Sequence, residues 1–190
     1  MEFLRLFLFL GLVLHKFVWE VLKRYGRGIE RQQHSAKKPF KRFIKLLKMF
    51  VLAFLAIQTL FLDLFPITEE PTPLRMIGIT IYLSGLVTAV IGRLHLGKNW
   101  VDLEDYRVLP GQSLVEYGIY CYIRHPIYMG DVLLLLGLEL SLNSWLVLGV
   151  PILFFIVLRQ TSIEEALLSR SLPGYDAYCA KTKRFIPFIL

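Results

Sequence analysis

The sequence predicts an all-α polytopic membrane protein: five transmembrane helices, the last two forming a helical hairpin, in one domain over residues 1–190. Three observations carry that prediction. Of the 190 residues, 55% are hydrophobic and only 19% are charged, a balance too apolar for an ordinary soluble domain. The apolar residues gather into runs long enough to cross a bilayer several times. The formal charge of +7 is concentrated between residues 23 and 48, in "KRYGRGIERQQHSAKKPFKRFIKLLK", where ten Lys/Arg face a single acid, Glu30. Such a basic segment between apolar runs marks a cytosolic loop under the positive-inside bias, and not a surface for nucleic acid.

The elements follow in order. A first span is expected from about Phe3 to Leu22. Its apolar core, Leu6 to Leu14, is followed by no small-residue cleavage site, and His15, Lys16 and Glu20 interrupt the next turn, so it reads as a retained span and not a signal peptide. The second runs from Phe43 or Met49 to Phe65 and the third from Leu74 to Leu96. The short, acidic, proline-rich "PITEEPTP" between them fits a turn on the far side of the membrane. The apolar run from Met129 to Leu158 would make a rod of about 45 Å, well beyond a hydrocarbon core of roughly 30 Å. A fold-back at "SLNSW", residues 141–145, where its small polar residues cluster, divides it into spans four and five. The amino terminus then lies outside and the carboxyl terminus in the cytosol.

Two segments remain for the cytosolic face. "LGKNWVDLEDYRVLPGQSLVEYGIYCY" joins spans three and four. The second begins at "SIEE", read as a capping box of Ser162 with Glu165, and continues as a short amphipathic helix broken at Pro173 and Gly174, then a basic stretch. Cys121 and Cys179 have no partners at metal or redox spacing, so neither a disulfide nor a metal site is expected. Nor is there a glycine-rich nucleotide motif, a helical His pair for zinc or a serine elbow. Chemistry is left to polar residues against the membrane face, chiefly in "GIYCYIRHPIYMG", residues 118–130. Taken alone, Arg124 and His125 are a snorkelling basic pair, Pro126 a first helical residue, and Tyr117 and Tyr122 members of an aromatic belt.

The ordered series "GQSLVEYGIYCYIRHPIYMG", "EEALL", "YDAY" and "RFIP", with "LGKNW" before it, resembles the isoprenylcysteine carboxyl methyltransferase family and the related phospholipid methyltransferases over residues 93–187. The resemblance implies S-adenosylmethionine as methyl donor, held in a cytosolic pocket closed by the C-terminal tail, with a lipidic or prenylated acceptor entering from the bilayer. Its cofactor residues would be Gln112, Ser113, Leu114, Val115, Tyr120, His125, Pro126, Ile127, Tyr128, Glu164 and Glu165. Arg124, His125 and Arg159 would serve the reaction.

The chemistry of that donor agrees. A sulfonium with an amino acid head and an adenine needs a carboxylate, hydrogen-bond donors and flat apolar walls. Glu164 or Glu165 suits the ammonium, His125 and Tyr128 the head group, and Tyr120 with Leu114 and Val115 the adenosine. Methylation of a prenylcysteine carboxylate needs no general base, since the nucleophile is already ionised; Arg159 or Arg124 would hold that carboxylate bidentately. A phospholipid amine is the alternative acceptor and would need a base. A membrane sterol reductase using NADPH is a more distant reading. Two departures from the family pattern stand out: Gln160 occupies the place of an arginine four residues before the first glutamate, with Arg159 one position earlier, and "LPGY" shortens the tail loop. Asn99 and Trp100 read as helix-end anchors, Arg93 and His95 as snorkelling residues that close the third span, Arg184 and Pro187 as pins to anionic head groups, and Gly130 and Gly137 as backbone leaving room for a lipid chain.

Overall fold

The computed structural model describes residues 2–26, 39–100 and 111–187. These form five long helices and a short sixth: α1 (Glu2–Gly26), α2 (Pro39–Phe61), α3 (Thr72–Leu96), α4 (Pro126–Ser141), α5 (Gly149–Ser171) and α6 (Tyr175–Lys181). Short 3-10 turns lie at Gly97–Asn99, Gly118–Cys121 and Trp145–Leu148, and no strand occurs among the described residues. Much of the basic loop, residues 27–38, and the loop at 101–110 lie outside the described residues.

Among the described residues, three helical segments are long and apolar enough to cross a membrane: Arg42–Phe61, Thr72–Asn99 and Trp145–Ser171. The other two long helices differ from them for legible reasons. α1 carries Arg5, Lys16 and Glu20 along its apolar length, and α4, with 16 residues, is about 24 Å long.

The centre of the fold is the antiparallel pair α3–α4, and its closeness follows from glycine at heptad spacing. Gly78, Gly85 and Gly92 on α3 meet Ser141, Leu134 and Ile127 on α4, while Gly130 and Gly137 on α4 meet Ala89 and Tyr82. A Cβ on Gly137 would lie 2.2 Å from the Tyr82 backbone nitrogen, and one on Gly130 2.4 Å from that of Ala89. With little hydrophobic gain available between helices in lipid, such small-residue seams let backbones approach and gain dispersion contacts. The space over Gly130 and Gly137, expected to admit a lipid chain, is therefore filled by α3.

α1 joins this pair through a second close approach. The Tyr82 ring lies over Gly11, and its hydroxyl donates to the Leu8 carbonyl at 2.6 Å. Leu8, Tyr82, Leu86, Leu134, Leu138 and Leu142 are the buried cluster around it. α2 is held mainly by polar contacts. Arg5 donates to the Gln58, Thr59 and Leu62 carbonyls at the end of α2, the first of which also accepts from the Leu62 amide, and forms an ion pair with Asp63. Gln58 Nε2 donates to buried Glu139 on α4 at 2.8 Å. The outer faces of α2 and α5 stay apolar and open: Phe50 and Phe61 are 70% and 75% exposed, Ile152 and Phe155 67% and 69%, as lipid-facing surfaces would be.

The fold-back between α4 and α5 falls where the small polar residues are. α4 ends at Ser141, and Asn143 adopts φ +58°, a left-handed conformation that Asn tolerates better than most residues. Its side chain pairs with Thr68, donating to the carbonyl at 2.8 Å and accepting from the amide at 3.2 Å, so the turn is pinned to the proline-rich loop. One local expectation fails. α5 is continuous from Gly149 to Ser171, so Ser162 and Glu165 form no capping box; Ser162 Oγ donates to the Leu158 carbonyl within the helix, and Glu165 is engaged elsewhere. The break at Pro173–Gly174 does occur, with Gly174 at φ +84° before α6.

Candidate functional site

The end of the molecule opposite Asn143 collects the residues that the sequence singled out. Gly118 begins the docking of the 118–121 turn onto α3: at φ +62° its Cα lies so close to His95 that a Cβ would sit 2.3 Å from the imidazole Nδ1. The Ile119 N–H donates to the same Nδ1 at 3.3 Å, and the Tyr117 hydroxyl donates to the His95 carbonyl at 2.6 Å. His95 and Tyr117 are thus joined to each other, and Arg93 is 2% exposed, donating to the Gly97 carbonyl at 2.9 Å with its guanidinium 4.7 Å from the centre of the Trp100 ring. That contact replaces the expected snorkelling of Arg93.

The tail lies alongside the next residues by main-chain hydrogen bonds. The Arg124 and His125 amides donate to the carbonyls of Lys183 and Arg184 at 2.8 and 3.0 Å, and the Lys183 amide donates to Tyr122 at 3.1 Å. Beneath this pairing, buried Tyr120 donates to the Gly92 carbonyl at 3.3 Å, while the Tyr178 hydroxyl of α6 donates to the Tyr120 carbonyl at 2.8 Å. Burial pushes the phenols of Tyr120, Tyr175 and Tyr178 and the thiol of Cys179 up from their ordinary values, so all four stay neutral.

The two adjacent glutamates occupy opposite circumstances. Glu165 is the hub of the tail: its Oε1 accepts from Arg124 Nε at 2.8 Å and lies 3.2 Å from His125 Nε2, and its Oε2 accepts from Arg184 Nε at 2.8 Å and Nη2 at 2.5 Å. Those contacts use the acceptor capacity of a carboxylate. Arg124 continues to the Cys179 and Thr182 carbonyls, which ties α4, α5 and the tail together. Glu164, half-buried, accepts one hydrogen bond among the described residues, from the Tyr128 hydroxyl at 3.0 Å, and has acceptor positions to spare there. The His125 ring stands 5.7 Å from Tyr128 and 5.9 Å from buried Phe185.

Arg124, His125, Tyr128, Glu164, Glu165 and Tyr120 are therefore brought into one neighbourhood. Pro126 and Ile127 begin α4 and pack on Gly92 of the seam. Gln112, Ser113, Leu114 and Val115 lie beside the end of α3, where the Ser113 amide donates to Asn99 Oδ1 at 2.9 Å and Val115 is buried. Arg159 is apart: exposed, and on the same helical face as Ile152, Phe155, Ile156 and Ile163, it makes no ion pair with the cluster among the described residues. Arg184, expected to reach anionic head groups, instead completes the Glu165 hub. His15 and Asp131, which the sequence reading did not pair, meet at 2.9 Å across α1 and α4. A pair so far apart in the chain leaves no local signature.

The phospholipid methyltransferase family model matches residues 74–173, more than half of the chain. This chain belongs to the phospholipid methyltransferase family. The matched span runs from the start of α3 to the end of the α5–α6 turn, so it contains the glycine seam, the Arg124–Tyr128 segment and both glutamates of this family member. Among curated proteins, the chain is similar to the nickel-cobalt-cadmium resistance protein NccN of Alcaligenes xylosoxydans xylosoxydans, 30% identical over 117 residues, 57% of this chain and 49% of that protein. It is likewise similar to the cobalt-zinc-cadmium resistance protein CzcN of Cupriavidus metallidurans, 30% identical over 114 residues with the same coverage. The chain spans about half the length of these curated relatives. Among the described residues, no three His, Cys, Asp or Glu side chains gather as a metal site.

Proposed function

We propose that this member of the family transfers the methyl group of S-adenosylmethionine to a lipid-bearing acceptor at the cytosolic face of a membrane. The observation that carries the reading is Glu164: a half-buried carboxylate with one phenolic donor, beside His125, under a tail fastened by Glu165. Its spare acceptor positions suit the ammonium of the donor, and a carboxylate is the right charge next to a sulfonium. When bound, the cofactor supplies an activated methyl group on a positively charged sulfur. Glu164 and Tyr128 would hold its amino acid head, with His125 beside them. The buried faces of Tyr120 and Val115, with Leu114 and the Gln112–Ser113 backbone, would receive the adenosine. Glu165 does not take part in binding in this reading; it keeps the tail closed and water out.

All five long helices cross the membrane in this proposal. α1 runs from the Arg5–Asp63 end to the Lys23–Trp100 end, and α2 to α5 alternate between the same two ends. The basic residues of the 23–48 segment then share the cytosolic side with the tail, as the positive-inside bias requires. The shortness of α4 is accommodated by its burial against α3, with Arg124 and His125, just before its first turn, at the interface.

The acceptor has two chemistries open to it. A prenylcysteine carboxylate would meet Arg159 on the outward face of α5, since Arg124 and Arg184 are both spent on Glu165. A phospholipid amine would need a proton acceptor instead. Calorimetric titration of the purified protein with S-adenosylhomocysteine and, separately, NADPH tests the cofactor assignment. Binding of the first alone is expected, and binding of NADPH alone would return the reductase reading.

A further inference from the structure

Among the described residues, Glu139 is the one acidic side chain that is buried, and no Lys, Arg or His pairs with it there. It is 3% exposed and lies two residues before the end of α4, at the opposite end from His125. Its carboxyl accepts from Gln58 Nε2 of α2 at 2.8 Å and is hydrogen-bonded by the Ser144 hydroxyl. Gln58 is itself 1% exposed, and its other amide atom, Oε1, is buried with no hydrogen-bond partner. An open buried acceptor and a lone buried anion are both costly, above all within a membrane. One proton removes both costs. On a carboxylic acid the O–H can donate to Gln58 Oε1 while the other oxygen accepts from Nε2, the two-bond ring open to an acid and a primary amide. Turning the amide over leaves the same need: the Gln58 oxygen would then stand 2.8 Å from a carboxyl oxygen, acceptor against acceptor, unless a proton lies between them.

The charged and titratable groups around the pair are engaged elsewhere. Arg5 of α1 donates to the Gln58, Thr59 and Leu62 carbonyls and pairs with Asp63, and Tyr82 of α3 gives its hydroxyl to the Leu8 carbonyl. α5 carries no titratable side chain before Arg159. A pocket of about 620 Å³ at this end is lined by Asp63, Glu69, Arg75, Leu142 and Asn143, so it reaches the residue beside Ser144. We infer that Glu139 holds a proton in the folded protein and clasps α2 to α4 through a cyclic acid–amide pair with Gln58, a clasp that loosens as the pH on the pocket's side rises. The inference is independent of the methyl-transfer reading. In the loosening step the Glu139 O–H bond breaks, its electron pair stays on oxygen, and the proton passes to water or hydroxide in the pocket. What remains is a buried carboxylate with one oxygen turned toward Gln58 Oε1 and no donor between them. α2 is the helix that gives way, because its outer face is open to lipid and Arg5 and Glu139 are what tie this end of it.

Infrared difference spectra of the full chain in detergent, wild type against Glu139→Gln, should show the carbonyl stretch of a protonated carboxylic acid at neutral pH. In Gln58→Leu that band should persist but move to higher frequency, since its hydrogen-bonded partner is gone. Glu139→Gln should fold, because two amides can form the same two-bond ring. Between about pH 6 and about pH 9 the wild type should lose stability relative to this variant by up to about tenfold in the folding equilibrium per pH unit, the slope for one proton that the native state binds and the unfolded chain releases. Thermal transitions read that slope, and protection factors around Gln58 should fall with pH in the wild type alone. An ionised Glu139, with a buried water on Gln58 Oε1, gives no acid band and a stability gap that does not change with pH; either result overturns the inference. Should Glu139→Gln fail to fold, the wild-type band carries the test, assigned by its displacement in Gln58→Leu and in heavy water, and a spectrum without such a band overturns the inference there too.

Discussion

α4 is fastened in two different ways along its length, and the contrast separates what is rigid in this protein from what can open. Along its α3 face the contact is backbone on backbone at Gly130 and Gly137, with nothing polar to exchange for water. At its amino end the contact is charge on charge, with Glu165 gripping Arg124, His125 and Arg184 of the tail. A seam of the first kind has one packing solution and forms a frame. A latch of the second kind borders water, and Arg184, 35% exposed, is the member that solvent can reach. The proposed site, which would admit a polar cofactor from water and then exclude solvent, needs both: a frame to fix Tyr128 and a closure that can release.

The largest effect should come from the frame. Gly137→Leu places a branched side chain where even a Cβ would be 2.2 Å from the Tyr82 nitrogen, so α3 and α4 must separate. Overpacking costs about 1–3 kcal/mol even where neighbours can shift, and here the neighbour is backbone. The variant should fail to yield a folded, monodisperse protein in detergent, and a normal thermal transition would show that the seam is looser than described. Breaking the latch should do less and do it locally. Glu165→Gln removes the negative partner of three cationic or hydrogen-bonding groups, a loss of roughly 2–3 kcal/mol once the exposure of Arg184 is discounted. Hydrogen exchange should rise in residues 175–187 while the α3–α4 seam keeps its protection; uniform loss across both would merge the two fastenings into one.

The same contrast explains how far the sequence could be read. The helices were legible because hydropathy and length decide them, and the fold-back at Asn143 because it lies where the run's small polar residues cluster. The glycines of the seam were visible as residues but not as contacts: room beside a glycine looks the same in a sequence whether a lipid or another helix fills it. The motif residues Arg124, His125, Tyr128, Glu164 and Glu165 were legible as a group, whereas the division of labour between the glutamates was not. Adjacent positions on a helix point about 100° apart, and only the packing of the tail decides which one it covers. Ser162 and Glu165 have the spacing of a capping box, and that local signal was overridden because α5 runs on through it. His15 and Asp131 are 116 residues apart and belong to no motif.

Glu164 sharpens the comparison further, since it borders the latch without belonging to it. Glu164→Ala should leave the tail protected against exchange, yet weaken S-adenosylhomocysteine binding by about tenfold or more, as expected for a lost charge-assisted contact of roughly 1.5–3 kcal/mol. The reverse pattern is expected for Glu165→Gln, where any loss of affinity should track tail opening. If titration finds Glu164→Ala unaffected and hydrogen exchange finds its tail released, the two glutamates have been assigned the wrong way round.

The smallest effect should be at Arg159, which belongs to neither fastening. Its neighbours on the outward face of α5 are Ile152, Phe155, Ile156 and Ile163, so its alkyl stem lies along apolar surface and its guanidinium has to reach for the interface. If the acceptor is an amine, this arginine has no partner in the reaction. Arg159→Ala should then change protein stability, cofactor affinity and amine-lipid turnover by no more than about twofold, the range of an ordinary surface substitution. A carboxylate acceptor reverses the expectation, because the guanidinium would be its bidentate clamp and its loss should raise the Michaelis constant by about tenfold or more. Measured side by side on an amine lipid and a prenylcysteine analogue, the variant asks whether the lipid-facing side of α5 is only a lipid-facing side. A selective loss on the carboxylate substrate would place the acceptor site at the outer face of α5, and with it the point at which the substrate leaves the bilayer.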